Sequence, residues 1–154
     1  MTNKNYHIKQ LDFNDLDLIR SLWEKLNQLH YELSPDFKVR FNSLTWETRK
    51  SKLIEKAQEI LIEFALDTND KVIGYCISTI DKMDNTIGEI DSIFIEEKYR
   101  GQGIGKELMK NASNWFHSNN VLTQKILIGV GNEKVIEYYK EFGFYPLHIV
   151  LQKI

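Results

Sequence analysis

Ile93-Phe94-Ile95-Glu96-Glu97-Lys98-Tyr99-Arg100-Gly101-Gln102-Gly103-Ile104-Gly105 decides how this chain folds. An apolar run, residues 90–95, comes first. A glycine-rich turn follows, and then an amphipathic run over 104–117. The order is strand, turn, helix. The first N–H groups of a helix have no internal acceptor, and the helix dipole adds partial positive charge there. Glycine lets a ligand approach the backbone closely. Residues 100–106 therefore read as an anion site suited to phosphate, with Lys98, Arg100 and Lys106 adding charge.

Two common phosphate loops fail against this stretch. A dinucleotide fingerprint needs G-x-G-x-x-G. From Gly101 the third glycine falls one residue early, at Gly105, and from Gly103 the required position holds Leu108. A P-loop needs G-x-x-x-x-G-K-[ST]. Gly105-Lys106 fits its end, but Glu107 follows and Arg100 stands where the first glycine belongs.

R-x-x-G-x-G, over 100–105, does fit, and it resembles the acyl-CoA pyrophosphate loop of the GNAT superfamily of N-acetyltransferases. Downstream, Asn132 followed by Tyr139-Lys140-Glu141-Phe142-Gly143-Phe144 resembles that family's second signature, an asparagine and then Y-x-x-x-G-F. The resemblance runs from about residue 72 to 144. It implies a single α/β (α+β) domain over 1–154, with a central mixed, mostly antiparallel sheet and helices on both faces.

Composition agrees with an ordinary soluble domain. Apolar residues make up 42% and charged residues 27% of the 154, with a formal net charge of −2. That balance gives no electrostatic case for nucleic-acid binding. Cys76 is the only cysteine, so no disulfide framework exists. No apolar stretch reaches transmembrane length, and the opening residues 1–7 are polar and lack a signal-peptide core. A cytoplasmic enzyme without membrane partners is the expectation. The histidines His7, His30, His117 and His148 lack metal-ligand spacing, so no metal site is expected.

Periodicity and turn chemistry place the elements. A short strand spans 6–11. A helix capped by Asp12 or Asn14 runs to about 30, with Leu18, Leu22, Leu26 and Leu29 on one face. A loop covers 31–43, and Thr45 opens a second helix to about 58. Strands follow at 59–66, 72–80 and 87–95, then the helix 104–117. A strand at 125–130, a helix at 133–142 and a last strand at 144–151 complete the chain. Gly143 is expected to end its helix in a left-handed conformation. Cys76 is expected as a small buried hydrophobe.

Acetyl transfer from a thioester needs both reactants held together, a deprotonated amine, and a proton for the departing thiolate. The resemblance implies acetyl-CoA as co-substrate, with its pyrophosphate on Arg100, Gly101, Gln102, Gly103, Ile104, Gly105 and Lys106. It implies that the pantetheine arm pairs with backbone of Ile93 and Ile95, that an N–H near Phe94 polarises the thioester carbonyl, and that Asn132 contacts the cofactor. Tyr139 falls where the family places its general acid, and Tyr138 is expected to point elsewhere. Glu89 stands where some members carry a glutamate base. Glu89 and Asp91 lie two apart on a strand and are read as sharing a face with Ile93 and Ile95. The acceptor is a primary amine of a small molecule or peptide, and the paired acids lean towards a cationic one. Some of His30, Tyr31, Glu32, Phe37 and Arg40 are expected to line its pocket. The resemblance also leaves a homodimer open, with the last strand as a candidate interface. The alternative reading is a non-catalytic acyl-CoA-binding sensor. Tyr139 and Glu89 together favour the enzyme.

Overall fold

The computed structural model describes residues 4–154. Of the polar opening 1–7, residues 1–3 therefore lie outside the described part. Strand β1 (Tyr6–Leu11) leads through a 3-10 stretch (Phe13–Ile19) into helix α1 (Arg20–Leu33). Helices α2 (Lys38–Ser43) and α3 (Trp46–Lys56) follow, then β2 (Ala57–Asp67), β3 (Val72–Asp81) and β4 (Ile87–Ile95). Helix α4 (Ile104–Ser118), strand β5 (Thr123–Ile126) and the short helix α5 (Ile136–Lys140) complete the regular elements.

The five strands form one sheet in the order β1-β2-β3-β4-β5. The first three pairings are antiparallel and β4–β5 is parallel. Parallel neighbours need a crossover, and α4 supplies it. Helices cover both faces, as expected. Ile104, Leu108, Met109, Ala112 and Phe116 of α4 pack on one face with Ile73, Cys76 and Ile90. Leu22 and Trp23 of α1, with Trp46 and Leu53 of α3, pack on the other with Ile62, Phe64 and Ile77. Cys76 is buried, as expected, and burial pushes its thiol up to about 12.

Local chemistry explains most boundaries. Thr45 caps α3, its hydroxyl accepting the Thr48 N–H at 3.1 Å. The first helix differs from the sequence expectation. Its opening turn is 3-10, so the buried stripe is Leu16, Ile19, Leu22 and Trp23, and Leu18 is exposed. Helix α2 occupies part of the expected loop. The largest difference lies at the end of the chain. The strand expected at 125–130 stops at Ile126, and the strand expected at 144–151 is absent. Without β5 continuing beyond Ile126, segment 144–151 has no ladder within its own chain.

One buried group is poorly served. Glu63 on β2 lies under α4, where Oε1 accepts from Asn111 at 3.0 Å and Oε2 has no partner. Desolvation raises its pKa. A raised folded-state value means that this carboxyl favours folding below its unfolded pKa and costs stability as pH climbs towards the folded value. Glu63→Gln is therefore expected to raise Tm at pH 8, by an amount set by roughly 1–3 kcal/mol for an ill-satisfied buried polar group. The gain should vanish near pH 4. Thermal melts of both proteins across that range check the sign, and a gain that grows towards low pH would be the wrong one.

Candidate active site

Strand β4 positions the site through one irregularity. Its pairing with β3 runs Ile80↔Gly88, Thr79↔Glu89 and Ser78↔Ile90, then shifts so that Ile77 opposes Ser92. Asp91 is the extra residue, a β-bulge. The bulge reverses the alternation. Glu89 and Asp91 face α3, whereas Ile93 and Ile95 pack with the α4-side core. The expected common face for these four residues is thus corrected.

The bulge also marks where the sheet opens. β4 and β5 pair only from Ile87↔Thr123 to Ile90↔Ile126. Beyond that point, 91–95 has a free edge on the β5 side. Glu96 N–H donates to Ile73 O at 2.9 Å, so Glu96 turns its backbone towards β3. Backbone direction alternates along a strand. Phe94 therefore also turns its amide towards β3, and Ile93 and Ile95 turn theirs to the open edge. Of the backbone around Phe94, the N–H groups turned towards the opening are therefore those of Ile93 and Ile95.

The glycine-rich turn sits at the end of this edge. Gly101 and Gly103 have φ of +76° and +88°, which L side chains adopt only under strain. Among the described residues, the backbone N–H groups of Gly101, Gln102, Gly103, Ile104, Gly105 and Lys106 have no acceptor. Residues 101–103 are exposed, so packing does not seal the turn. Arg100 braces it. Its Nε donates to Ile95 O at 2.9 Å and its guanidinium lies 5.5 Å from the Phe94 ring centroid. Glu107, the acid in the first turn of α4, is drawn aside by Lys4 at 2.7 Å and Tyr6 at 2.8 Å. The Lys4 hydrogen bond is the chief reason its pKa is lowered. Lys106 reaches Glu141 at 3.0 Å and ties α4 to the end of α5.

Helix α5 brings two tyrosines to the opening. Tyr139 packs against the α4-side core together with Ile93, Ile95 and Phe142. Its hydroxyl has no hydrogen-bond partner among the described residues, and burial raises its pKa. Tyr138, expected elsewhere, leans over the turn: a methyl group on Gly105 would meet its Oη at 2.7 Å. Burial pushes that phenol up to about 12. Asn132 makes no side-chain cap, which leaves its amide free. Gly143 ends the helix at φ +84°, as expected.

Glu89 is paired rather than isolated. Lys56 Nζ lies 3.0 Å from its Oε2 and 2.5 Å from Asp91 Oδ1. Lys125 stands 3.6 Å from Glu89 and Arg49 3.5 Å from Asp91, while Thr79 donates to Asp91 Oδ2. Two carboxylates meet three cations, so the acids present no net negative surface to a cationic amine, contrary to the sequence expectation. Lys56, Arg49 and Lys125 carried no signal in sequence because they come from two elements, α3 and β5, distant in the chain from Glu89. Of the expected acceptor-side residues, His30 reaches the opening, stacked on Phe41 at 5.5 Å and facing Gly129. Burial lowers its pKa. Lys38 bonds the carbonyls of Tyr31 and Glu32, and Arg40 meets Gln152 at 3.3 Å.

A sequence model described as the Acetyltransferase (GNAT) family matches residues 26–144. This chain belongs to that family. The GNAT chain is 27% identical over 154 residues to the uncharacterized N-acetyltransferase MJ1207 of Methanocaldococcus jannaschii. The match covers 96% of this chain but only 64% of the relative's length. A mutant of the BH1408 protein from Bacillus halodurans shares the fold at a TM-score of 0.76, with 14% identity over 96% of this chain and 98% of that one. AAC(6')-Iy bound to the bisubstrate analogue CoA-S-monomethyl-acetylneamine superposes at 0.66, with 15% identity and 97% of both chains covered. In this GNAT chain no helix is long and apolar enough to cross a membrane, and no group of ligating side chains suits a metal, among the described residues.

Proposed function

We propose that the chain acts as one domain that transfers the acetyl group of acetyl-CoA to a primary amine of a small molecule or peptide in the cytoplasm. The observation that carries this reading is the run of unpartnered amides from Gly101 to Lys106, at the mouth of a sheet that parts between β4 and β5. A diphosphate satisfies such amides, and an extended amide-bearing arm satisfies the outward backbone of Ile93 and Ile95. The free amide of Asn132 and the unpartnered Tyr139 hydroxyl complete the fit. AAC(6')-Iy, a fold neighbour solved both with CoA and with a CoA-derived bisubstrate analogue, supports it.

The opening explains how one ligand meets both faces of the sheet. Tyr139 belongs to the α4 side and Glu89 to the α3 side. β4 and β5 separate just beyond Glu89, after Ile90↔Ile126, and a ligand lying in that gap would reach both. The thioester supplies an already activated acyl carbon. Glu89, directly or through water, takes the proton of the amine as its nitrogen forms the C–N bond. The Ile93 N–H stabilises charge on the carbonyl oxygen, a contribution of roughly 2.7–4 kcal/mol for one such donor. As the C–S bond breaks, Tyr139 donates its phenolic proton to the thiolate.

Glu89→Gln is expected to lower kcat/KM about 100-fold and to remove the acidic limb of its pH profile. An acidic limb left intact would take the base role away from Glu89. Detection of released CoA thiol across a panel of amines tests the activity itself. Acetyl-CoA binding with no CoA released by any amine would turn the reading to an acyl-CoA sensor.

A further inference from the structure

Helix α3 turns a mixed stripe towards the sheet. Trp46, Arg49, Leu53 and Lys56 recur at helical spacing, three and four residues apart. Trp46 and Leu53 are buried in the core, as such a stripe requires. Arg49 and Lys56 place cations on the same stripe, where charged side chains are almost never found unless paired. Both aim at one residue of β4, and it is the bulged one.

Asp91 is held at backbone and side chain together. Arg49 Nη2 donates to the Asp91 carbonyl at 3.0 Å and stands 3.5 Å from Oδ1. Lys56 also meets Oδ1, and Thr79 of β3 donates to Oδ2. The Asp91 side chain is 1% exposed and that of Arg49 23%, so water does little to screen the pair. A buried ion pair is weak evidence of stabilisation, because desolvating the charges offsets their attraction. Its best-attested use is to fix one register among several. A register needs fixing here. Pairing β4 with β3 without the bulge would turn the amides of Ile93 and Ile95 towards β3 and close the open edge.

We infer that Arg49 is a positioning residue for acetyl transfer: by holding Asp91 out of the ladder, it keeps the Ile93 and Ile95 amides aimed at the opening. This role rests on the acetyl-CoA chemistry proposed for the chain. The Arg49 guanidinium bonds only Asp91 among the described residues, so it acts on the acyl arm through β4.

Arg49→Met keeps the stem and removes the donors and the charge. Arg49→Lys keeps the charge on a compact head. Hydrogen exchange of the unliganded chain reports the bulge itself. Protection of the Phe94 and Glu96 amides, which turn to β3, should fall at least ~10-fold in Arg49→Met, while Leu108 of α4 keeps its own. Calorimetric titration reports the aim, with acetyl-CoA beside ADP, which has the diphosphate but no pantetheine arm. Arg49→Met should weaken acetyl-CoA about 10-fold and leave ADP within twofold. Arg49→Lys should show both effects in the same direction at about threefold, and it decides the matter if the methionine variant does not fold. Acetyl-CoA affinity held at the parent value beside a lowered Tm would overturn the inference and leave Arg49 a stabilising residue. An equal loss for both ligands would overturn it too, as a general loosening. Unchanged exchange at Phe94 and Glu96 would remove the clamp while leaving the acetyl-CoA reading in place. A parent chain that binds neither ligand would remove that reading, and the positioning role with it.

Discussion

Replacing Gly103 with valine is expected to weaken acetyl-CoA binding by at least ~100-fold. Gly103 sits at φ +88° as the residue before α4. A β-branched residue there costs about 1–2 kcal/mol of backbone strain. Its isopropyl group has room in the fold, since the nearest atom to a Cβ is Tyr6 Oη at 3.7 Å. The same group would stand among the amides that meet the diphosphate. Hydrogen bonds to a charged acceptor contribute about 1.5–3 kcal/mol each, so losing two is worth roughly two to four powers of ten. Stability should fall only by the strain, a Tm decrease of a few degrees. Calorimetric titration with acetyl-CoA, beside a melt, separates the two effects. A dissociation constant within threefold of the parent would show that the turn does not carry the diphosphate.

Tyr139→Phe is expected to lower kcat about 100-fold and leave the acetyl-CoA dissociation constant within twofold. General acid catalysis contributes about 10²–10⁴. The ring keeps its packing on the α4-side core and beside Tyr138, so only the proton donor is lost. Burial raises the phenol's pKa, and the sign matters: a raised value keeps Tyr139 protonated through the neutral and mildly alkaline range. The parent profile should therefore show no alkaline limb from this residue below about pH 10. Single-turnover rates with the amine found by the screen make the comparison. Equal rates would assign Tyr139 to packing alone and direct attention to Tyr138, whose hydroxyl reaches the turn.

Much of this architecture is legible in the residues themselves. The helix after Gly103 follows from apolar spacing, the Thr45 cap from its own side chain, and the left-handed Gly143 from the end of a signature. These are local features, set by a few neighbours in sequence. The bulge at Asp91 is not local. It arises where β4 shifts its register against β3 between Ile90 and Ser92, and no residue type in 87–95 announces it. Missing it places Glu89 and Ile93 on one face when they lie on two. The ion pairs of Glu89 are hidden for the same reason, because Lys56, Arg49 and Lys125 meet only after α3 and β5 reach the sheet. The strand at 144–151 shows the opposite case. Its alternation is plain, but alternation states that a segment wants a partner and does not say which chain supplies it.

Nitrogen-15 correlation spectra of the labelled chain, recorded as CoA is added, address the phosphate grip most directly. The amide protons of Gly101, Gly103 and Gly105 should move downfield with saturation, as hydrogen bonds form to groups that have none within the protein. Those three resonances staying in place at millimolar CoA, while others shift, would contradict it.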